Sequence, residues 1–571
     1  MNKNWIIKEQ ADIIEVKSLS KELNVKDYLA NLLIQRGIKT REQAEAFFNP
    51  ELSQLHDPFL MKDMDVAVER IESAIRRGEK ILIYGDYDVD GTTSVALIYT
   101  FLRKIYNKLD FYIPDRDKEG YGISFAGIDY ARENGISLII ALDCGIKAID
   151  KVKYANDHGI SFIICDHHNP GDKIPSAFAL LDPKRPGCSY PFNELSGCGV
   201  GFKLIQAFSI RNKIPFEELM PYLDLVAVSI ASDIVPLVGE NRVLAYYGMK
   251  QLNENPRTGL KTIIELAGIS EREITIEDIV FKIGPRINAA GRIESGKSAV
   301  NLLISAEAKE ARIIGNKVEE YNSTRRNIDS NITKEALAMI EQEPRLKNSK
   351  STVLFNPNWH KGVVGIVASR LIDTYYRPTV VLTESKGFAT GSARSVFGYD
   401  LYQAVDACSD LLENFGGHKY AAGLTMKLEN VPKFIKKFEQ YVSETISAEQ
   451  HKPVIEIDTE INLSDITPEF YSVLKKFEPF GPENMAPIFL TEDVSDDGSG
   501  KPVGTNGDHL KLNLIQEADP YTPLPSIAFQ QGSNYSRLQN GKSFDICYSI
   551  EENEFMKKVN LQLNIKDIKF Y

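Results

Sequence analysis

Between residues 80 and 183 the sequence repeats one rhythm: a short apolar run, a loop, then a helical pattern. The runs are Lys80–Tyr84 (KILIY), Leu109–Ile113 (LDFYI), Leu138–Leu142 (LIIAL), Ile160–Cys165 (ISFIIC) and Phe178–Leu181 (FALL). Helix-like stretches fill the intervals: GTTSVALIYTFLRKIY, SFAGIDYARENG and KAIDKVKYANDHG, the last two stopped by glycine. Strands that are apolar throughout need both faces covered, and their alternation with helices predicts an α/β fold on a parallel sheet. In such sheets ligands gather at the carboxyl ends of the strands.

Residues 190–340 read as mainly helical, and a polar periodic stretch from about Ala299 to Glu343 predicts a long connecting helix. A second, smaller α/β pattern follows: Thr352–Phe355, the helix GIVASRLIDTYY, Thr379–Leu382 and a glycine-rich run ending in GSARS. From about residue 450 the texture is all-β, with strand candidates PVIEIDTEI, HLKLNLI, PSIAF, SFDICYSI and VNLQLNIKDI. Such a set fits a small OB-like β-barrel. The expected division is an extension over 1–70 packing on the catalytic domain, a catalytic domain over 71–300, a connecting helix over 301–345, a second α/β domain over 346–445 and the barrel over 446–571.

With 26% charged and 43% hydrophobic residues, the composition excludes collagen-like, disordered and coiled-coil classes. No run approaches a transmembrane span, and the N-terminal stretch lacks a signal-peptide core. Six cysteines without a C-x-x-C pair read as reduced thiols, which predicts a cytoplasmic protein with no membrane partner. The net charge of -12 argues against a nucleic-acid partner only until it is located. Residues 451–571 hold 11 Lys+Arg against 19 Asp+Glu, so most of the surplus lies in the last fifth of the chain.

KILIY runs directly into Gly85-Asp86-Tyr87-Asp88-Val89-Asp90-Gly91. Three carboxylates so close repel one another and cannot join a dry core; a divalent cation is the usual compensation. An EF-hand loop is ruled out, because the next residues open an apolar helix and supply no glutamate at position 12. A solvated acidic turn is the alternative. The next runs end alike, LIIAL in Asp143-Cys144-Gly145 and ISFIIC in Asp166-His167-His168, and the apolar segment LVAVSIA ends in Ser232-Asp233. A lone Asp after a strand is usually a turn or cap residue; four such ends make coincidence a poor account. If the strands are neighbours, Asp88, Asp90, Asp143, Asp166, His167 and Asp233 converge on one crevice. That set suits two Mn²⁺ or Mg²⁺ ions and in-line displacement at phosphorus. The run Phe415–Gly423 (FGGHKYAAG) lets backbone amides approach a phosphate, with a tight packing loop as the alternative.

Together, Gly85–Gly91, Asp143–Gly145, Asp166–His168 and Ser232-Asp233 resemble the four motifs of the DHH phosphoesterase family, and Gly416–Gly423 resembles the glycine-rich motif of its associated domain. Ile113–Arg116, Glu119–Gly122, Gly197–Lys203, Pro285–Arg292, His360–Ile366 and Glu478–Pro482 extend the likeness to the branch that digests single-stranded DNA. The resemblance implies a metal-dependent 5′→3′ exonuclease releasing mononucleotides in recombination and repair. It makes Asp88, Asp90, Asp143, Asp166, His167 and Asp233 metal ligands, sets His168 near the scissile phosphate and leaves Asp86 a supporting role. Many relatives carry a histidine where this chain has Tyr84. An oligonucleotide nuclease or nucleoside phosphate phosphatase is the alternative within the family; a non-catalytic scaffold is disfavoured because every expected ligand is intact.

Arginine clamps phosphate oxygens through paired hydrogen bonds, which makes Arg286 and Arg292 candidates for gripping the strand or the transition state. Arg116 and the Gly391–Ser395 turn, with Ser392 and Arg394, resemble a pocket for the 5′ end, and Tyr121, Gly416, Gly417 and His418 join the expected substrate contacts. Tyr121, Phe125, Phe397 and Tyr399 are candidate base-stackers, and Lys475, Lys476, Lys501 and Lys511 candidate strand contacts in the barrel. The expected partners are single-stranded DNA, a single-strand-binding protein and a helicase.

Overall fold

A computed structural model gives the structure and describes residues 3–517, 519–538, 542–555 and 558–571. The first strand, β1 (Asn4–Ile7), is followed by three short helices, Ile13–Leu23, Asp27–Gln35 and Arg41–Phe48. Five strands then form one parallel sheet: β2 (Lys80–Gly85), β3 (Leu109–Tyr112), β4 (Ile136–Leu142), β5 (Ser161–Cys165) and β6 (Ala179–Leu181), in the order β3-β2-β4-β5-β6. Ile81, Ile83, Leu138, Ile140 and Ile163 enter one core, while Leu82, Tyr84, Ile139, Ala141 and Phe162 enter the core on the opposite face. Both faces are dry along β2, β4 and β5, which is why these strands read as near-continuous apolar runs.

The segment LVAVSIA is the heart of a helix, Leu223–Asp233, buried continuously from Leu223 to Ala231. Burial on all sides erases the helical periodicity that would have marked it. The connecting helix spans Ala308–Gln342, shorter than expected because Lys297–Ile304 is a separate helix before Ser305. The second sheet has the order β10-β11-β9-β8-β7, with β7 (Thr352–Phe355), β8 (Thr379–Ser385), β9 (Phe388–Arg394), β10 (Asn414–His418) and β11 (Ala421–Lys427). Residues Gly391–Arg394, expected as a turn, are therefore strand. Gly391 serves packing instead, since a Cβ there would lie 2.1 Å from the Val381 carbonyl oxygen.

The C-terminal strands are β12 (Val454–Ile457), β13 (Thr459–Glu460), β14 (Phe489–Asp496), β15 (Lys501–Val503), β16 (His509–Gln516), β17 (Asp519–Ala528), β18 (Phe544–Phe555) and β19 (Lys558–Phe570). Pairing of β14 with β16 closes β14, β18, β19, β17 and β16 into a five-stranded barrel. Strand β14 escaped the sequence reading because Glu492, Asp493 and Asp496 dilute its apolar residues; a bulge between Thr491 and Val494 accommodates the interruption.

One expectation is corrected. The N-terminal extension does not pack chiefly on the catalytic domain. Strand β1 runs parallel to β12, and Val16, Leu19, Leu29, Leu32 and Leu33 share one core with Phe470, Phe489, Leu512, Tyr548 and Leu563 of the barrel. A small barrel cannot cover its own apolar residues, and three amphipathic helices supply the missing layer. The catalytic domain is reached from the end of the third helix, where the Phe47 carbonyl accepts from Arg242 (3.0 Å), and from the stretch that follows, where the buried Lys203 donates to the His56 carbonyl (2.8 Å) and to Glu240 (2.9 Å). Leu32→Ala, at a fully buried position, is expected to destabilise the C-terminal unit by about 2–5 kcal/mol. In calorimetry the loss should fall on the transition that includes the barrel; a loss confined to the catalytic domain would contradict this packing.

Candidate active site

Strands β2, β4, β5 and β6 end on the same edge of the sheet, so the residues after them meet there. Asp88 caps the Val89–Arg103 helix by accepting the Gly91 amide (3.0 Å). Asp90 lies inside that helix's first turn and accepts from the Gly197 and Cys198 amides (2.6 and 2.8 Å) and from Ser229 Oγ (2.7 Å). Asp143 takes the left-handed conformation (φ 56°), and Gly197 must be glycine because a Cβ would stand 2.7 Å from the Asp143 side chain.

His167 is the focus. Its Nε2 lies 3.2 Å from Asp143, 3.5 Å from Asp233 and 3.6 Å from Asp90. Neither ring nitrogen has a hydrogen-bond partner, nor do the buried Oδ2 atoms of Asp143 and Asp86. Burial, compounded by neighbouring carboxylates, pushes Asp86, Asp88 and Asp143 above the ordinary carboxyl range and raises Asp233 to about 8. Orphaned donor atoms beside crowded carboxylates fit a divalent cation, which supplies the missing counter-charge. Asp143, His167 and His168 form one candidate group of ligands, and Asp90, His167 and Asp233 another.

Asp166 is fully engaged. Its Oδ1 accepts from the His167 and His168 amides (2.8 and 3.2 Å) and lies 2.7 Å from His168 Nδ1, while Oδ2 accepts the Ile146 amide (2.8 Å). Burial works to raise this carboxyl, but the bonds from His168 and Ile146 bring it down to about 2. His168 responds in kind: burial opposes its charge, yet Asp166 and the surrounding carboxylates lift it to about 9. Its Nε2 sits 3.1 Å from the hydroxyl of Tyr121, which also donates to the Asp143 carbonyl (3.3 Å). Asp86 is fully buried and accepts the Gly122 amide (3.2 Å), so it braces the loop carrying Tyr121. Tyr84 is set apart from the ligands, its hydroxyl bonded to the Gly122 carbonyl (3.0 Å) and the Ser124 amide (3.1 Å).

A second constellation flanks the first. Arg116 lies over the Tyr87 ring (5.2 Å), and Gly291 and Gly296 pack on the Tyr87 backbone. Burial and the nearby charges of Arg116, Arg325 and Arg394 lower Arg292 to about 10. Arg292 donates to the Gly362 carbonyl (2.8 Å), and Arg394 to Ser392 Oγ (2.7 Å) and the Ala393 carbonyl (2.8 Å). Neither has a carboxylate partner among the described residues. Arg325 differs, being paired with Asp329 (3.1 Å). Gly416, Gly417 and His418 lie in the exposed β10–β11 hairpin, whose Ala421 and Gly423 stand opposite Arg394 and Ser392. Unpaired guanidinium groups held together make a site for an anion.

Three expected residues are placed otherwise. Arg286 is not in this cluster: its guanidinium is occupied by Glu319 (2.6 Å) and the Lys282 carbonyl (2.7 Å), joining its helix to the connecting helix. Tyr399 is core, 4% exposed, whereas Tyr121, Phe125 and Phe397 are about half exposed. In the barrel, Lys475 is paired with Glu552 (2.9 Å), while Lys501 and Lys511 face each other across β15 and β16. Asp182 escaped the sequence reading although the signal was present, since it follows FALL as Asp166 follows ISFIIC. It is fully buried with Oδ2 unpartnered, and burial together with the charge of Asp166 pushes it up to about 7.

Carboxylates at the tips of a parallel sheet, joined by a long helix to a smaller sheet bearing an arginine pocket, define a DHH-type phosphoesterase. Residues 80–230 match the DHH family, N-terminal domain, residues 348–444 the DHHA1 domain and residues 457–567 the RecJ OB domain. The single-stranded-DNA-specific exonuclease RecJ of Bacillus subtilis (strain 168) is 40% identical over 565 residues, 99% of this chain and 70% of the relative. That of Escherichia coli (strain K12) is 31% identical over 567 residues, 95% of each. The crystal structure of RecJ in complex with Mn²⁺ from Thermus thermophilus matches with a TM-score of 0.84 at 25% identity, covering 100% of this chain and 80% of that one. The chain belongs to the RecJ family of single-stranded-DNA-specific exonucleases.

Proposed function

We propose that this protein hydrolyses the phosphodiester bonds of single-stranded DNA from the 5′ end, releasing mononucleotides, in recombination and repair. The observation that carries this reading is the adjacency of two sites, a carboxylate–histidine crevice and a pocket of unpaired arginines. Asp88, Asp90, Asp143, His167 and Asp233 would hold Mn²⁺ or Mg²⁺, whereas Asp166, expected as a further ligand, already accepts from three amides and His168 and instead aims that imidazole. Such ions polarise the phosphoryl oxygen and make an attacking water more acidic.

The remaining work falls to the chain's own groups. Arg116, Arg292, Ser392 and Arg394 grip a terminal phosphate, which fixes direction because the next bond inward then faces the crevice. His168, aimed by its bond to Asp166, is placed to donate toward the scissile phosphate. Tyr121, exposed beside His168, offers a face for the terminal base. A helicase and a single-strand-binding protein are the partners such an enzyme requires to obtain free ends. Six unpaired cysteines suit a reducing, cytoplasmic setting. Among the described residues no helix is long and apolar enough to cross a membrane.

Degradation of 5′-labelled single-stranded and duplex DNA, with and without Mn²⁺, tests the reading. Rapid Mn²⁺-dependent release of labelled mononucleotide from the single strand alone is expected. Slow action on polymers with rapid action on dinucleotides would favour the short-oligonucleotide alternative and sink this one.

A further inference from the structure

Asp233 is the one proposed ligand that does not follow a strand of the parallel sheet. It ends the Leu223–Asp233 helix, and the chain leaves it through Ile234, whose φ of 59° puts a β-branched residue in the left-handed region. That conformation is unfavourable and persists only where neighbours over-determine the backbone. Two sets of contacts do so here. From within the catalytic domain, Asn241 Nδ2 donates to the carbonyls of Glu194 (2.6 Å) and Pro236 (2.9 Å). From the C-terminal domain, the Pro482 carbonyl accepts the Leu237 amide (2.8 Å), and Gly481 packs so closely that an added Cβ would lie 3.3 Å from Leu237 Cβ.

Pro482 and Gly481 belong to residues 476–485, which lead into the barrel and also close around Arg242, in the first turns of the next helix, Gly239–Glu254. The buried Arg242 guanidinium donates to the carbonyls of Phe477 (2.8 Å), Glu478 (2.9 Å), Lys476 (3.0 Å) and Phe47 (3.0 Å), and it lies 3.8 Å over the Phe47 ring. Every one of these acceptors is a neutral main-chain oxygen. A fixed fork of donors is used here for its geometry, locking three parts of the chain at one point.

We infer that Arg242 and residues 476–485 position Asp233, so that the C-terminal domain is a structural part of the metal centre as well as a surface for the strand. This rests on the assignment of Asp233 as a ligand. Arg242 is a positioning residue: it acts through the Leu237–Pro482 bond and touches no substrate.

The test compares full-length Arg242→Lys and Gly481→Ala with the unaltered chain. Mn²⁺ affinity is read by electron paramagnetic resonance, and kcat is measured on a 5′-phosphorylated dinucleotide, too short to reach the barrel. KM on a long strand and thermal unfolding complete the comparison. Arg242→Lys should weaken Mn²⁺ binding about ten-fold, as loss of a group supporting a ligand does, and lower the dinucleotide kcat. Gly481→Ala should shift both in the same direction by less. If Mn²⁺ affinity and dinucleotide turnover stay unchanged while KM for the long strand rises, the junction only aims the barrel and the inference is overturned. Should Arg242→Lys not fold, Gly481→Ala decides by the same criterion. An unaltered chain that binds no Mn²⁺ would instead overturn the metal-centre reading itself.

Discussion

Asp166→Asn should reduce strand digestion by about 10⁴-fold, the scale on which removing the carboxylate behind a catalytic imidazole acts, while binding of single-stranded DNA remains detectable. The aspartate accepts from four donors, three amides and His168 Nδ1. An asparagine cannot satisfy all four: wherever its NH₂ group points, it meets another N–H. The imidazole then loses its anchor and its charge, so its titration should fall from about 9 toward the ordinary histidine range. Single-turnover digestion and NMR titration of the His168 ring check the two halves separately. Turnover within ten-fold of the unaltered enzyme, with His168 still titrating near 9, would remove Asp166 from the site.

The second large effect is expected from Arg394→Ala. Its guanidinium is half-buried beside Ser392 with no carboxylate against it, and it stands across β11 from the glycine-rich hairpin. Losing a half-buried charge that meets a terminal phosphate should cost kcat/KM on 5′-phosphorylated strands about 10²-fold, or about 2.7 kcal/mol. Strands with a 5′-hydroxyl should be nearly indifferent. The unfolding temperature should hold or rise, because the variant relieves repulsion around Arg292. Equal losses on both kinds of end would mean that Arg394 supports the fold and does not read the phosphate.

What could be read from the residues alone follows from what each local pattern encodes. The parallel sheet was legible because its strands are buried on both faces and so appear as unbroken apolar runs, and its ligands because carboxylates cannot follow such runs without a purpose. Helix Leu223–Asp233 falls within the stretch that reads as mainly helical, but burial on every side removes the periodicity that would set its bounds. Gly391–Arg394 reads as a turn by composition, yet Gly391 is there to let strands approach. Arg286 and Arg292 look alike in sequence; only the placement of Glu319 separates a joint from a phosphate contact. Nothing local links Arg242 with residues 476–485, because that cage is made of main-chain carbonyls, which every residue has.

Charge shows the same dependence on place. The barrel's acidity is uneven: Glu460, Asp493 and Asp545 crowd Glu492 and raise its pKa, whereas Lys501 and Lys511 sit together on β15 and β16. The net figure averages over surfaces that can meet different partners.

The pairing of β1 with β12 also sets an order of events during synthesis. The contact between Lys8 and Asp458 spans 450 positions of chain, so residues 4–48 emerge long before the barrel core they complete. The parallel sheet between them is assembled from neighbours in sequence and can form while the ribosome is still working. Until the last strands arrive, Leu29, Leu32 and Leu33 have nothing to cover. This enzyme therefore carries an early-made segment whose apolar face waits for the barrel, and a pause in translation before residue 454 would prolong that wait.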